Sequence, residues 1–374
     1  MARPSQALID LAALRHNYLL ARRLHGGQAL AVIKANAYGH GAARCAMALS
    51  DAADGFAVAF VEEALLLRQA GITHPILVLE GAFDAQDMAA IQAHDLWTVV
   101  HQAAQIALLE RAPSTARPVR VWLKLDSGMH RAGFRLSEAG GAHARLQACT
   151  NVSDITLMTH FARADEPEVS ATERQIVEFD LATRHLPGPR SLSNSAGVLC
   201  WPAARRDWAR PGILLYGADP TSIDHGLQPV MTLQSEVFAV RELERGEALG
   251  YGGGFVADRN MRIGLVAMGY ADGYPRTAPA GTPVAVDGQL TRIVGRVSMD
   301  MLTVDLSNLP QAGTGSRVEL WGRQISVNEV AQRVGTIAYE LLCNVKRVPK
   351  VYLDAAPAVA DPNACAWREE QLTS

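Results

Sequence analysis

The chain is 374 residues long, 49% hydrophobic and 20% charged, with a formal net charge of -3. This length allows roughly two or three domains, the composition excludes a disordered chain, and the charge balance offers no basic face to nucleic acid. The five cysteines, Cys45, Cys149, Cys200, Cys343 and Cys365, stand singly, without the paired spacing of a disulfide framework or a zinc knuckle, and no metal site is expected. The opening MARPSQALIDL lacks the apolar stretch of a signal peptide, and no apolar run reaches bilayer length. A cytoplasmic protein with no membrane partner is expected.

From about residue 29 to 217, short apolar strand candidates alternate with helical patterns, the signature of repeated βα units around a parallel sheet. The candidates, in order, are ALAVI, GFAVAF, PILVL, WTVV, VRVWLKL, DITLM, SLSN and GILLY. Segments of helical period lie between them, such as VEEALLLRQA and AQDMAAIQAH. Eight such units favour an α/β fold of the closed (β/α)8 TIM-like barrel type over an open sheet. After about residue 226 the pattern changes to strand-like pieces with short turns, TLQSEVFAV, RIGLVAMG, TPVAVDGQLTRIVG, MLTVDL and SRVELWG, and only SVNEVAQRV reads as helix. The expected domains are therefore a barrel over 11–226 and a mostly β C-terminal domain over 227–355, with residues 1–10 a candidate to pack with the latter. An Ala- and Pro-rich stretch, 356–374, reads as a loosely held tail.

In a βα barrel the chemistry sits at the carboxyl ends of the strands, where the loops converge. Lys34 closes the first strand, in AVIKANAYGHG. Lysines often close strands by reaching to solvent, but an amine held in a pocket serves carbonyl chemistry, and the residue alone does not separate the two. Further along, LKLDSGMHRAGF carries Lys124 and Arg131, MTHFA carries His160, SNSAG carries Asn194 and Ser195, and RPGI carries Arg210, Gly212 and Ile213. Each has an ordinary structural reading, as a core histidine, a turn residue or a surface cation; their shared position at one rim points to a site. Ser195 and the small residues around Gly212 suit an anion, and Tyr38 could add a phenolic donor. A phosphate near a lysine suggests pyridoxal phosphate, whereas no Walker loop for a nucleoside triphosphate is present.

The ordered set AVIKANAYGHG, LKLDSGMHRAG, MTHFA, SNSAG, RPGI, GYGGGF, GYADGYPR, GRVSMDM and AYELLC resembles the motifs of bacterial alanine racemases, fold-type III enzymes that use pyridoxal phosphate. The resemblance runs over about residues 5 to 353. It implies that Lys34 carries the cofactor's aldehyde, that Tyr38, Ser195, Gly212, Ile213 and Tyr339 bind its phosphate, and that His160 and Asn194 belong to its surroundings. Arg210 would face the pyridine nitrogen, where a guanidinium, unlike a carboxylate, leaves the ring unprotonated and a weaker electron sink. Racemisation needs a base on each face of Cα, and the resemblance supplies Lys34 and Tyr251.

A free tyrosine has a pKa of about 10, so Tyr251 needs the hydrogen-bonded chain that the family builds from His160 and Arg210. The resemblance also implies a homodimer in which Tyr251 reaches the barrel of the other subunit. Arg131 and the backbone N–H of Met299 would hold the substrate carboxylate. Lys124 matches a lysine that is often carbamylated in the family. Asp165, Tyr270, Arg276 and Arg296 resemble the lining of the substrate entrance, where Tyr270 and Tyr339 would favour a methyl side chain. The implied activity is interconversion of L- and D-alanine, for peptidoglycan or for alanine catabolism. The alternatives are a broader amino-acid racemase, a fold-type III decarboxylase and a non-catalytic cofactor carrier. Arg210 weighs against the decarboxylase, and the second domain with Tyr251 and Met299 weighs against the carrier. Two departures from the family pattern stand out: Phe255 where many relatives have tyrosine, and the tail.

Overall fold

A computed structural model describes residues 3–113, 117–221 and 223–353. Two compact units emerge: one comprises Arg15–Leu215 and Asp219–Leu227, the other the chain up to Leu14, Tyr216–Ala218 and the chain from Gln228 onward. The expected tail, 356–374, lies outside the described residues.

The first unit is a ring of parallel strands. Gln28–Val32, Gly55–Val58, Ile76–Val78, Trp97–Val100, Val119–Asp126, Val152–Met158 and Arg190–Ser191 pair in sequence, and Trp208–Ala209 returns to pair with Gln28–Val32. Most are near-continuous apolar runs because helices cover their outer face; every residue of Gly55–Val58 and of Trp97–Val100 is buried. The gap between the seventh and eighth strands is bridged by the Arg210 N–H, which donates to the Ser193 carbonyl at 2.9 Å, and by the Ser191 hydroxyl, which donates to the Trp208 carbonyl at 2.8 Å. The fold is thus a near-closed (β/α)8 barrel. Three tryptophan rings, Trp97, Trp122 and Trp208, pack at 5.6–6.3 Å between centroids and fill its interior near the strands' amino ends. An apolar packed core of this kind supports the opposite rim without taking part in it.

Two elements depart from the sequence reading. GILLY was expected as the eighth strand, yet Ile213–Tyr216 is a 3-10 turn and the strand is the two-residue Trp208–Ala209. The correction moves RPGI from the entrance of a strand to its exit, which is the rim. SLSN contributes only its first residue to the strand Arg190–Ser191, and the remainder leads to the short helix Ser195–Cys200.

The second unit is mostly β. Met231–Leu243 pairs with Met261–Val266 and with Arg317–Trp321, and a path through Pro283–Val286, Gln289–Val294 and Leu302–Asp305 closes a ring. The hairpin Pro283–Val286 to Gln289–Val294 turns on Asp287–Gly288, both at positive φ, 47° and 82°, as a tight two-residue turn requires. Gln6–Asp10 adds to Met231–Leu243, and Lys350–Leu353 adds in parallel to Gln6–Asp10. The helix Val327–Val334 stands where SVNEVAQRV placed it, but a second one, Ala338–Cys343, was not expected, and it carries Tyr339.

Candidate active site

Lys34 follows the first barrel strand and opens a turn of unusual hand. Ala35, Asn36, Ala37 and Tyr38 all have φ between 50° and 54°. A left-handed turn costs L-residues about 1–2 kcal/mol each, so this one persists only because its surroundings over-determine it. The Ala37 N–H reaches the Ile33 carbonyl at 2.8 Å and the Gly39 N–H the Ala35 carbonyl at 3.0 Å. At its start the Glu63 carboxylate accepts from the Ala35 N–H at 2.6 Å while also accepting from the Ala59 N–H at 2.7 Å. At its end the Asn36 side chain accepts from the Ala42 N–H at 2.8 Å. One turn thereby separates Lys34, half-buried, from Tyr38, buried.

Tyr38 meets the RPGI segment. A Cβ added to Gly212 would lie 2.6 Å from the Tyr38 hydroxyl, so only glycine lets the phenol approach this backbone. Ser195 meets the same glycine, its hydroxyl accepting from the Gly212 N–H at 2.9 Å. Asn194 caps the helix Ser195–Cys200, its side chain accepting from the Gly197 N–H at 2.9 Å, and so orients Ser195. Tyr38, Ser195, Gly212 and Ile213 are thus neighbours: a phenol, a hydroxyl and a turn of backbone with a glycine at its centre, a cradle a Cβ would fill. Such a cradle fits the phosphate of a pyridoxal cofactor.

Around it the rim is cationic. Arg210 is buried and donates to the carbonyls of Ser191 at 3.0 Å and Thr159 at 2.6 Å, and also to the Ser191 hydroxyl. Burial pushes its guanidinium down to about 10, so it remains a cation at neutral pH. Lys124, near the end of the fifth strand, is only 8% exposed; burial pushes its amine down to about 8, with Arg210, Arg131 and Lys34 adding to the shift and Glu80 opposing it. His160 lies at the end of the sixth strand. Burial foremost, then Arg210, Lys124, Arg131 and Lys34, hold its imidazole well below the usual histidine range, so it is neutral. Arg131 follows a loop wound on Asp126, whose carboxylate accepts from the N–H groups of Gly128, Met129 and His130 at 3.0 Å each. Of the expected barrel residues, Lys34, Lys124, Arg131, His160 and Arg210 therefore share one electrostatic environment. Asp165 is exposed on the loop after the sixth strand.

The remaining expected residues belong to the second unit. Tyr251 is 73% exposed on a one-turn segment, Tyr251–Gly253, flanked by glycines at positive φ. Arg276, Arg296 and Phe255 line one cavity of about 290 Å³. The loops of Tyr270 and Met299 hold each other: the Tyr270 N–H reaches the Ser298 carbonyl at 3.0 Å and the Ala271 N–H the Met299 carbonyl at 2.9 Å. Tyr339 is 38% exposed at the start of Ala338–Cys343.

Two rim residues were missed. Glu80 follows PILVL as Lys34 follows ALAVI, and an ionisable group closing a buried strand was a legible signal at both. Glu63, three residues into its helix from Phe60, carries the signature of a carboxylate reaching back to backbone N–H groups.

The family model for the alanine racemase N-terminal domain matches residues 9–220, and that for the C-terminal domain matches 230–352. The chain is 68% identical to a curated alanine racemase from Azoarcus sp. (strain BH72), over 92% of this chain and 98% of the relative. It is similar to the crystal structure of the biosynthetic alanine racemase from Pseudomonas aeruginosa, with 50% identity, a TM-score of 0.91 and coverage of 94% and 100%. The alanine racemase from Bartonella henselae, solved with covalently bound pyridoxal phosphate, is 27% identical with a TM-score of 0.86 and covers 94% of this chain and 100% of its own. By both domain models and by these relatives, the chain belongs to the alanine racemase family.

Proposed function

We propose that this chain racemises alanine with pyridoxal phosphate, by a two-base mechanism in an active site completed by a second copy. The observation that carries the reading is the rim itself: an amine at the end of the first strand, a phenol, hydroxyl and glycine cradle, and a buried arginine in one place. Bound there, the cofactor would withdraw electrons from Cα of the substrate and make its proton removable.

The residues divide that work. Tyr38, Ser195, Gly212, Ile213 and Tyr339 would hold the phosphate, and Lys34 would hold the aldehyde. Lys34 is then the base for one face of Cα. Arg210 would face the pyridine nitrogen and, as a cation at neutral pH, would leave it unprotonated and the cofactor a weaker electron sink. Arg131 and the Met299 N–H hold the substrate carboxylate. Lys124 balances Arg131 once its amine, RNH2, takes up carbon dioxide to give RNHCOO⁻ and a proton. Its lowered pKa supports this, because only the free amine reacts. Tyr251 of the second copy is the base for the other face, tuned through His160 and Arg210. Its exposure, with that of Met299 at 58% and Ile337 at 60%, supports a surface that meets a partner. Asp165, Tyr270, Arg276 and Arg296 line the entrance. The product serves peptidoglycan as D-alanine, or the reverse reaction serves alanine catabolism.

Mixing two inactive variants tests the shared site. Lys34→Ala and Tyr251→Phe should each lose about 10²- to 10⁴-fold in kcat. Unfolded or dissociated together and reassembled, they should regain roughly a quarter of wild-type activity, because half the dimers are mixed and each has one intact site. Absence of any recovery, with mixed dimers demonstrated by mass, would remove the shared site.

A further inference from the structure

The helix Ala171–Thr183 follows the sixth strand and buries Thr172, Gln175, Ile176, Phe179 and Thr183; Gln175, an amide, is 4% exposed. A buried amide is costly unless both its ends are used. Both are. The Gln175 Oε1 accepts from the Ala162 N–H at 2.9 Å, and Nε2 donates to the His160 carbonyl at 3.1 Å and to the Ser127 hydroxyl at 3.2 Å. The Ser127 and Thr159 hydroxyls are 2.7 Å apart, and the Thr159 carbonyl receives the Arg210 guanidinium at 2.6 Å. Packing agrees, since a Cβ on Gly128 would come within 3.2 Å of the Gln175 Cγ. One side chain therefore ties the loop that leads to Arg131 to the strand end that carries His160, and reaches Arg210 through two hydroxyls and the Thr159 backbone.

We infer that Gln175 is a positioning residue for the reaction: its amide fixes the strand end bearing His160 against the loop bearing Arg131, and so holds the His160–Arg210 pair in register. The inference rests on the racemase reading for its catalytic consequence, and on the hydrogen bonds alone for its structural one. Every hydrogen bond of its amide goes to a protein group, so Gln175 acts through its neighbours.

The test compares wild type with Gln175→Met, which fills the same space without hydrogen bonds, and with Ser127→Ala, which removes one link. Gln175→Met should keep its bound cofactor and its dimer while kcat falls about 30- to 100-fold, the scale of a displacement near 1 Å, with KM changed less than about threefold. The isotope effect of deuterium at Cα should rise for one enantiomer and not for the other, because the residues displaced serve one face. Ser127→Ala should show a smaller loss that is not additive with Gln175→Met. A kcat within twofold of wild type, or a loss that travels with release of the cofactor, would overturn the inference. Should Gln175→Met fail to fold, Ser127→Ala carries the test by the same readouts. If the wild type does not racemise alanine, the functional reading falls, and Gln175 is judged by the His160 ring resonances of selectively labelled protein: unchanged resonances in the variant would sink the clamp.

Discussion

Gly212→Ala isolates one contact of the cradle. The added Cβ would lie 2.6 Å from the Tyr38 hydroxyl and 3.4 Å from the ring carbon that bears it. Ordinary contact begins at 3.4 Å, so the hydroxyl alone is in the way, by 3.4 − 2.6 = 0.8 Å. On the proposed reading, a phenol displaced that far would lose the hydrogen bond it makes to the cofactor phosphate, a loss of about 1.5–3 kcal/mol or roughly ten- to a hundredfold in cofactor affinity. Tyr38→Phe removes the same hydroxyl and leaves the new methyl room. The two substitutions should therefore not add: Gly212→Ala alone weakens cofactor binding, whereas in the Tyr38→Phe background it changes almost nothing further. Titration of the apoprotein with pyridoxal phosphate, followed by the absorbance of the bound cofactor, measures all four corners of the cycle. If Gly212→Ala weakens binding equally in both backgrounds, the clash is elsewhere and Tyr38 does not contact the phosphate as argued.

Stability should fall on mild acidification. His160 and His25 are both held below their ordinary pKa of 6.5 chiefly by burial, His25 to about 4. Below pH 6.5 the unfolded chain therefore binds more protons at these sites than the folded one, so their stabilising effect is complete above about 6.5 and declines as the pH falls toward 4. Urea midpoints at pH 7.5 and 5.0 should show the decline, and His25→Asn should reduce it. Lys124, with its amine lowered to about 8, should give a carbamate carbon resonance when the protein is equilibrated with ¹³C-bicarbonate. The resonance should vanish in Lys124→Ala; its absence from the wild type would leave Glu80 as the anion that balances this lysine.

Most of the barrel was legible because its strands are buried on both faces and read as plain apolar runs, with ionisable groups at their ends. The eighth strand was not. Its two residues, Trp208–Ala209, are too short to show a pattern, while the apolar GILLY beside it is buried in a 3-10 turn. Periodicity cannot tell these two kinds of burial apart. The helix carrying Tyr339 escaped for a similar reason, since its six residues, AYELLC, are less than two turns. The pairing of Gln6–Asp10 with Lys350–Leu353 joins the two ends of the described chain; the sequence offers residues 1–10 as a candidate to pack with the second domain, but no local signal names the partner strand. Lys34, His160, Ser195 and Arg210 stood out because their chemistry contrasts with the strands they terminate. Glu63 and Gln175 did not, because a carboxylate that holds backbone and an amide inside a helix resemble ordinary surface residues until their partners are known.

Formation of D-alanine from L-alanine by the purified, cofactor-loaded protein, with L-serine and L-lysine run alongside, is the most direct measurement. Fast turnover of alanine, well above the other two, is the expected result and would bear out both the racemase and its narrow entrance. No turnover of any of the three, with the cofactor still held by Lys34, would contradict the two-base assignment and leave a protein that binds the cofactor without using it.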